Sequence, residues 1–409
     1  MTILNSETLR FIREHRNDDV RTLALRARNL PEVDVPAALT QIAGWQQTRD
    51  KVPSWAQTEG IMYPPHLSLE QCSSEITARY KADIVAGTPT NSLTDLTGGF
   101  GIDCSFLAQH FRQATYVERQ EVLCETARHN FSCLGLSQIT VCHADAVQHL
   151  QSMHPCDWIF IDPARRDGHG GKTVAITDCE PDVAALEEQL LQKASRVLIK
   201  LSPMLDLTLA LHTLHHVTEA HIVSVNNDCK ELLLILQRQA KVSPDDVSIH
   251  CINLLPNKGE LQKLTFCRKE EKESTARYTH EVKEYLYEPN VSLLKGGAYC
   301  TLCQQFPVEK LHPNSHLYTS AHYLPNFHGR KFQVTGQSSL NKKDIKSLLG
   351  SASKANLTVR NFPTSVAELR KRLKLTEGGE LYLFATTLYN EQKVLIAGKQ
   401  IAYRISNTV

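Results

Sequence analysis

Between residues 92 and 237 the chain alternates short apolar runs with amphipathic stretches, and this pattern restricts the fold more than any other feature. The runs predict strands at 92–96, 114–118, 138–142, 157–161, 196–201, 220–225 and 231–237, with helices between most of them. Such alternation calls for a mostly parallel α/β sheet covered by helices. The last two runs are the exception. Only Asn226-Asn227-Asp228-Cys229-Lys230 separates them, too short for a helical crossover. They must form a hairpin, which turns the seventh strand antiparallel to the rest.

The first of these strands ends on Asp95 and runs into Thr97-Gly98-Gly99-Phe100-Gly101, after which Ile102, Phe106, Leu107 and Phe111 recur at helical spacing. Glycines let backbone approach a ligand closely, and a helix start behind them offers free N–H groups. The next three strands end on Glu118, Asp145 and Asp162. One acidic residue after a strand is ordinarily a helix cap or solvated surface. Four in succession at carboxyl strand ends converge on one crevice, where open α/β sheets bind ligands.

A nicotinamide fingerprint would place a further glycine three residues after Gly101, and that position is Cys104. It would also leave Asp145 and Asp162 without a role. Over about 92–238 the combination resembles the class I S-adenosylmethionine-dependent methyltransferases, whose sheet is Rossmann-like with seven strands, the last antiparallel. The resemblance implies that backbone at Thr97, Gly99 and Gly101 lies along the methionine part of S-adenosyl-L-methionine. It implies that Asp95 holds the methionine amino end, Glu118 the ribose hydroxyls and Asp145 the adenine amine, with Asp162 at the methyl end. A carboxylate suits a vicinal diol because it has two acceptor oxygens. Thr97 stands where the family usually has its first glycine. Turns of this D-x-T-x-G-x-G kind are familiar in enzymes that methylate nucleic acids.

Asp162-Pro163-Ala164-Arg165 resembles the D/N-P-P-Y/F/W/R motif of nucleic-acid methyltransferases, which implies a catalytic role for Asp162, Pro163 and Arg165 around a base acceptor. Ala164 replaces the second proline and Arg165 the stacking aromatic. Arg165 has a planar guanidinium that stacks on bases or binds phosphate. The following RRDGHGGKT (165–173) reads as a loop over the site, and Pro203 in KLSPMLD is placed to line the same mouth.

Residues 1–90 read as a helical segment broken by Pro31, Pro36, Pro53 and Pro64-Pro65, with SLEQCSSEITARYKADIV (68–85) as one helix beside the glycine turn. Residues 91–240 form the methyltransferase domain. In 241–324, a small α+β element, SIHCINLLPN and ELQKLTFCRK suggest a hairpin and KEEKEST an exposed turn. Residues 325–409 read β-α-β-α-β-β and make a small α+β domain that resembles the THUMP-like modules of such enzymes. There, fourteen Lys and Arg residues stand against five Asp and Glu. The balance is +9, which leaves −8 for the rest of a chain whose net charge is +1. Lys342, Lys343 and Lys346 fall on one predicted helix, and Arg370, Lys371, Arg372 and Lys374 on the other. Such a surface suits a phosphate backbone, so RNA is the expected partner.

No apolar stretch is long enough to span a membrane, and the N-terminus has no secretion signal. Twelve scattered cysteines then fit a reducing cytoplasm. Cys300-x-x-Cys303 with His312 and His316 has a zinc-like look, but the step from Cys303 to His312 is too short for a zinc finger, so no metal is expected. The function expected is S-adenosylmethionine-dependent methylation of RNA. The alternatives are a methyltransferase of protein or small molecules, and an inactive RNA-binding protein.

Overall fold

A computed structural model describes residues 4–26, 30–64, 66–87, 91–165 and 175–401. The predicted strands form as β1 (Ser92–Asp95), β2 (Gln113–Glu118), β3 (Ile139–His143), β4 (Cys156–Ile161), β5 (Ala194–Leu201), β6 (Val217–Val225) and β7 (Asp228–Gln237). Neighbours pair in parallel from β3 through β2, β1 and β4 to β5, and β7 runs antiparallel to β5. The β6–β7 turn is two residues, not five. Asn226 and Asn227 both take φ near +50° to +65°, the conformation of a tight primed hairpin turn for which asparagine is well suited.

The sheet has nine strands rather than seven, because β8 (Ser248–Leu255) and β9 (Glu260–Phe266) extend it in the order β9-β8-β6-β7-β5-β4-β1-β2-β3. The hairpin expected over this stretch is present. Ile249, Cys251 and Ile252 are buried, and Ser224 and Asn226 hydrogen-bond the carbonyls of Ile252 and Leu254. Apolar alternation together with these polar anchors makes β8 an inner strand.

The chain divides into two compact units, residues 1–219 with 231–242, and residues 220–230 with 243–409. In the first, helices α1 (Ser6–His15), α2 (Val20–Arg26), α3 (Val35–Thr48) and α4 (Pro53–Gln57) precede α5 (His66–Gln71) and α6 (Glu75–Ala86). Residues 68–85 are thus two helices instead of one. Ser74 stands at the N-cap of α6, and Ser73 turns its hydroxyl onto Asp103 at 2.7 Å. Helices α7 (Ile102–Leu107), α8 (Glu121–Cys133), α9 (Ala146–Ser152), α10 (Val183–Lys193) and α11 (Leu207–Thr213) follow the strands. Trp55, Tyr63, Phe100, Tyr116 and Phe131 share one core. Trp55 meets Phe100 edge-on at 5.0 Å, so the N-terminal helices grip the glycine turn directly.

In the second unit, KEEKEST is largely helical and not a turn. It contributes α12 (Arg268–Glu273), whose Glu271 accepts from the backbone N–H groups of Tyr299, Cys300 and Thr301 at 2.7–3.0 Å. This carboxylate satisfies the free donors that start α14 (Thr301–Gln305), after α13 (Val291–Gly296). Strands β10 (Tyr285–Pro289), β11 (Glu309–Lys310), β12 (Tyr318–Ser320), β13 (Gly329–Ser338), β14 (Asn356–Arg360), β15 (Leu381–Thr387) and β16 (Lys393–Gln400) form one sheet, ordered β11-β12-β10-β13-β16-β15-β14. Helices α15 (Lys342–Leu349) and α16 (Val366–Leu373) both send leucines into a cluster with Leu383, Ala385, Leu395 and Ala397. Phe384, Val394 and Ile396, alternating with them, fill the other face.

Candidate active site

The glycine turn is shaped by crowding on one side and space on the other. A Cβ on Gly98 would lie 2.2 Å from the Tyr116 ring, so only glycine fits there. A Cβ on Gly99 would meet no atom nearer than the Thr97 carbonyl at 3.9 Å. The Gly99 N–H donates to Glu118 Oε2 at 3.0 Å, and the Tyr116 hydroxyl donates to the Gly99 carbonyl. The turn is therefore tied to the end of β2 and faces open space.

Asp95 is buried, and Oδ1 accepts the Thr97 N–H at 3.0 Å. Burial pushes its carboxyl well above the usual range, and the nearby acids Asp103, Asp162 and Glu118 add to this against the Thr97 N–H. Glu118 is also buried, its second oxygen accepting from Gln120 N–H at 2.9 Å. Asp145 is exposed and caps α9, Oδ1 accepting from Val147 and Gln148 N–H. That is the ordinary N-cap role, and it leaves the other oxygen uncommitted to the cap.

Thr97 has a function that the sequence did not reveal. Its hydroxyl accepts the Asp162 N–H at 2.6 Å, joining the glycine turn to the end of β4. Pro163 is buried, and Ala164–Arg165 pairs antiparallel with Cys179–Glu180. The remainder of the expected loop, at 166–173, and the Arg165 side chain lie outside the described residues.

The Asp162 side chain does not stand alone. Lys200, in the middle of the apolar run of β5, places Nζ 2.5 Å from Asp162 Oδ2 and 3.6 Å from Asp103 Oδ2. Lys81, on α6, sits 2.7 Å from both carboxylate oxygens of Glu231 and 3.2 Å from Asp103 Oδ1. Two ammonium groups and three carboxylates thus alternate as Glu231, Lys81, Asp103, Lys200, Asp162. Burial alone would strip the proton from Lys200, but Asp162, Asp103 and Glu231 outweigh it and raise its pKa. Burial likewise opposes ionisation of Asp103, yet Lys81 and Lys200 hold its carboxyl below the usual range. For Glu231 burial wins against the same lysines and its pKa rises. None of Lys81, Asp103, Lys200 and Glu231 was singled out from sequence.

In the second unit Lys342, Lys343 and Lys346 are exposed on α15, as are Lys371, Arg372 and Lys374 at the end of α16. Arg370 differs: it is partly buried, with Nη1 3.9 Å from Glu377. His316 stacks on Tyr299 at 3.7 Å. His312 faces Glu391 and Asn361 at 3.1 and 2.9 Å. Among the described residues no helix is long and apolar enough to cross a membrane.

Two family models match the second unit, a ferredoxin-like domain over residues 285–327 and a THUMP domain-like module over 329–399. No curated protein matches the sequence. Among solved structures, a candidate methyltransferase from Porphyromonas gingivalis W83 aligns with a TM-score of 0.85 at 36% identity, covering 98% of this chain and 100% of that one. An rRNA methylase from Streptococcus thermophilus aligns with a TM-score of 0.30 at 15% identity, over 40% of this chain and 95% of its own. A candidate methyltransferase from Streptococcus mutans, in complex with SAH, gives 0.31 at 13%, over 41% and 99%. With the Porphyromonas protein matched over its whole length and the THUMP-like module in place, the chain belongs to the class I S-adenosylmethionine-dependent methyltransferases that carry a C-terminal THUMP-like domain.

Proposed function

We propose that this protein transfers the methyl group of S-adenosylmethionine to RNA. The observation that carries the reading is that Asp95, Glu118 and Asp162 are each hydrogen-bonded to Thr97 or Gly99 of the glycine turn, with Asp145 following the strand beside Glu118. The chemistry of this set fits the cofactor. S-adenosylmethionine presents an ammonium group, two ribose hydroxyls and an exocyclic amine, all donors, and the four strand-end groups are carboxyl acceptors. When bound it supplies a methyl on a sulfonium, already a good leaving group, so the protein's task is placement. Asp95 would hold the ammonium end, Glu118 the ribose, Asp145 the adenine amine, and Asp162 the acceptor. The exposed lysines of α15 and basic end of α16 support RNA as the partner.

Calorimetric titration with S-adenosylmethionine tests the first half. Glu118→Gln keeps an oxygen for the turn but weakens the hold on the ribose, and affinity should fall about tenfold or more, as for a lost hydrogen bond to a charged group. Asp95→Ala should do likewise. An absence of binding by the wild type would sink the proposal. The second half is tested by incubating the protein and methyl-labelled cofactor with total RNA, DNA and protein from a strain lacking the gene. Label in protein or DNA but not RNA would reject RNA as substrate.

A further inference from the structure

We infer that the acceptor is a hydroxyl group, the ribose 2′-hydroxyl of RNA, which Asp162 and Lys200 hold and activate together. The inference rests on the methyl-transfer reading above and names the acceptor of that same site.

The sequence motif at Asp162 implied a base acceptor, for which an exocyclic amine is the case to compare. A site for an amine needs acceptors, since both N–H groups must be taken up while the lone pair faces the methyl. Asp162 cannot provide a purely accepting environment. Its Oδ2 is occupied by the Lys200 ammonium at 2.5 Å, which sets a cation beside whatever binds there. An amine would meet donors on that side.

A hydroxyl matches the pair. It has one proton to give and two lone pairs. Its proton goes to the Asp162 carboxylate, one lone pair accepts from Lys200 Nζ, and the other is left for the methyl carbon. A hydroxyl also needs more help than an amine, because it must lose its proton to become a good nucleophile, and a nearby ammonium favours the deprotonated form. The transfer balances without another reactant. The hydroxyl oxygen bonds to the methyl carbon, the carbon–sulfur pair goes to sulfur, and the hydroxyl proton passes to Asp162 and then to water.

The rest of the network supports this use. Asp103 lies between the two lysines at 3.2 and 3.6 Å, and Glu231 fixes Lys81 from behind. Burying such groups is not an efficient route to stability, since desolvation roughly offsets their attraction. What the arrangement does secure is the position of Lys200. Exposure falls off sharply along the chain of charges. The Asp162 side chain is 35% exposed and Lys200 13%, whereas Lys81 and Glu231 are 0% and 3%. The network opens to solvent at the Asp162 end, where an acceptor must enter.

The test follows the label in total RNA from the deletion strain. A 2′-O-methyl group removes the nucleophile of alkaline cleavage, so the expected product is an alkali-resistant labelled dinucleotide. Label released with a base, or in an alkali-sensitive mononucleotide, would overturn the hydroxyl while leaving RNA methylation intact. No label in RNA would overturn both. Lys200→Met alone takes the countercharge from Asp162 and leaves Lys81 as the one lysine beside Asp103, so the informative variant is D103N/K200M, which removes one charge of each sign. Its calorimetric affinity for S-adenosylmethionine should stay within about threefold of wild type, while the labelling rate falls roughly 100-fold, the scale of proton-transfer assistance. A rate within about twofold of wild type would remove Lys200 from the chemistry.

Discussion

Adjacent glycines of the turn should fail in opposite ways when each becomes alanine. In Gly98→Ala the new methyl would sit 2.2 Å from Cε2 and 2.5 Å from Cδ2 and Cζ of Tyr116. Ordinary carbon contact is about 3.5–4.0 Å, so the ring must retreat by roughly 1 Å or more. It has nowhere to go. Tyr116 is completely buried, and Phe131 stands edge-on at 5.5 Å. Overpacking of this kind costs about 1–3 kcal/mol. Moving the ring also breaks the Tyr116 hydrogen bond to the Gly99 carbonyl, worth about 1 kcal/mol. A loss of about 2–4 kcal/mol should lower the melting temperature by roughly 5–15 °C. Gly99→Ala puts its methyl in open space, and the added strain is that of φ +54° for alanine, about 1 kcal/mol. That variant should melt only about 2–4 °C early yet lose S-adenosylmethionine affinity by tenfold or more, since its methyl enters the open space beside the turn along which the cofactor is proposed to lie. All three tryptophans, Trp45, Trp55 and Trp158, lie in the first unit, so thermal melts followed by fluorescence report on this unit specifically. If Gly98→Ala melted within about 2 °C of wild type, or Gly99→Ala bound cofactor normally, the account of the turn would be wrong.

Three other outcomes are expected. Because burial holds the Asp95 carboxyl well above its ordinary range, cofactor affinity should rise with pH as Asp95 ionises against the ligand ammonium, and Asp95→Asn should flatten that rise in titrations carried upward from the ordinary carboxylate range. Replacing Lys342, Lys343 and Lys346 together with alanine should weaken RNA binding by a similar factor across sequences and reduce the slope of log affinity against log salt by about 2; an unchanged slope would place the RNA elsewhere. His316 is depressed from 6.5 to about 4, chiefly by burial, with Lys310 and Arg360 adding to it. Unfolding therefore takes up a proton there as pH falls from about 6.5 toward 4, and stability drops across that window by about 1–2 kcal/mol once partial exposure is allowed for. His316→Asn, which suits φ +52°, should make the urea midpoint of the full chain less dependent on pH over this window.

The fold was largely legible because its signals are local. Apolar runs ended by acidic residues marked β1 to β4, and the short 226–230 connection forced the reversal of β7. The extension of the sheet by β8 was not legible, since a hairpin's own alternation does not name the strand beside it. The charge network shows the same limit in sharper form. Lys81 falls on the buried stripe of α6, with Thr77, Ala78, Ala82 and Val85. Lys200 interrupts the buried run from Val197 to Leu201. A lysine at an inward position of either element must have a countercharge, and that much can be read from periodicity. Which countercharge cannot: Glu231 lies 150 residues from Lys81, and Asp162 is 38 from Lys200. Asp103 stands in the first turn of α7, yet it bridges both lysines. Asp162 was singled out for its motif, and the motif does not name the lysine beside it. In the folded chain its carboxylate is one end of a line of five alternating charges, and it is the end that water can reach. The acceptor chemistry proposed above accordingly rests on the lysine beside Asp162, a contact that the three letters after it do not encode.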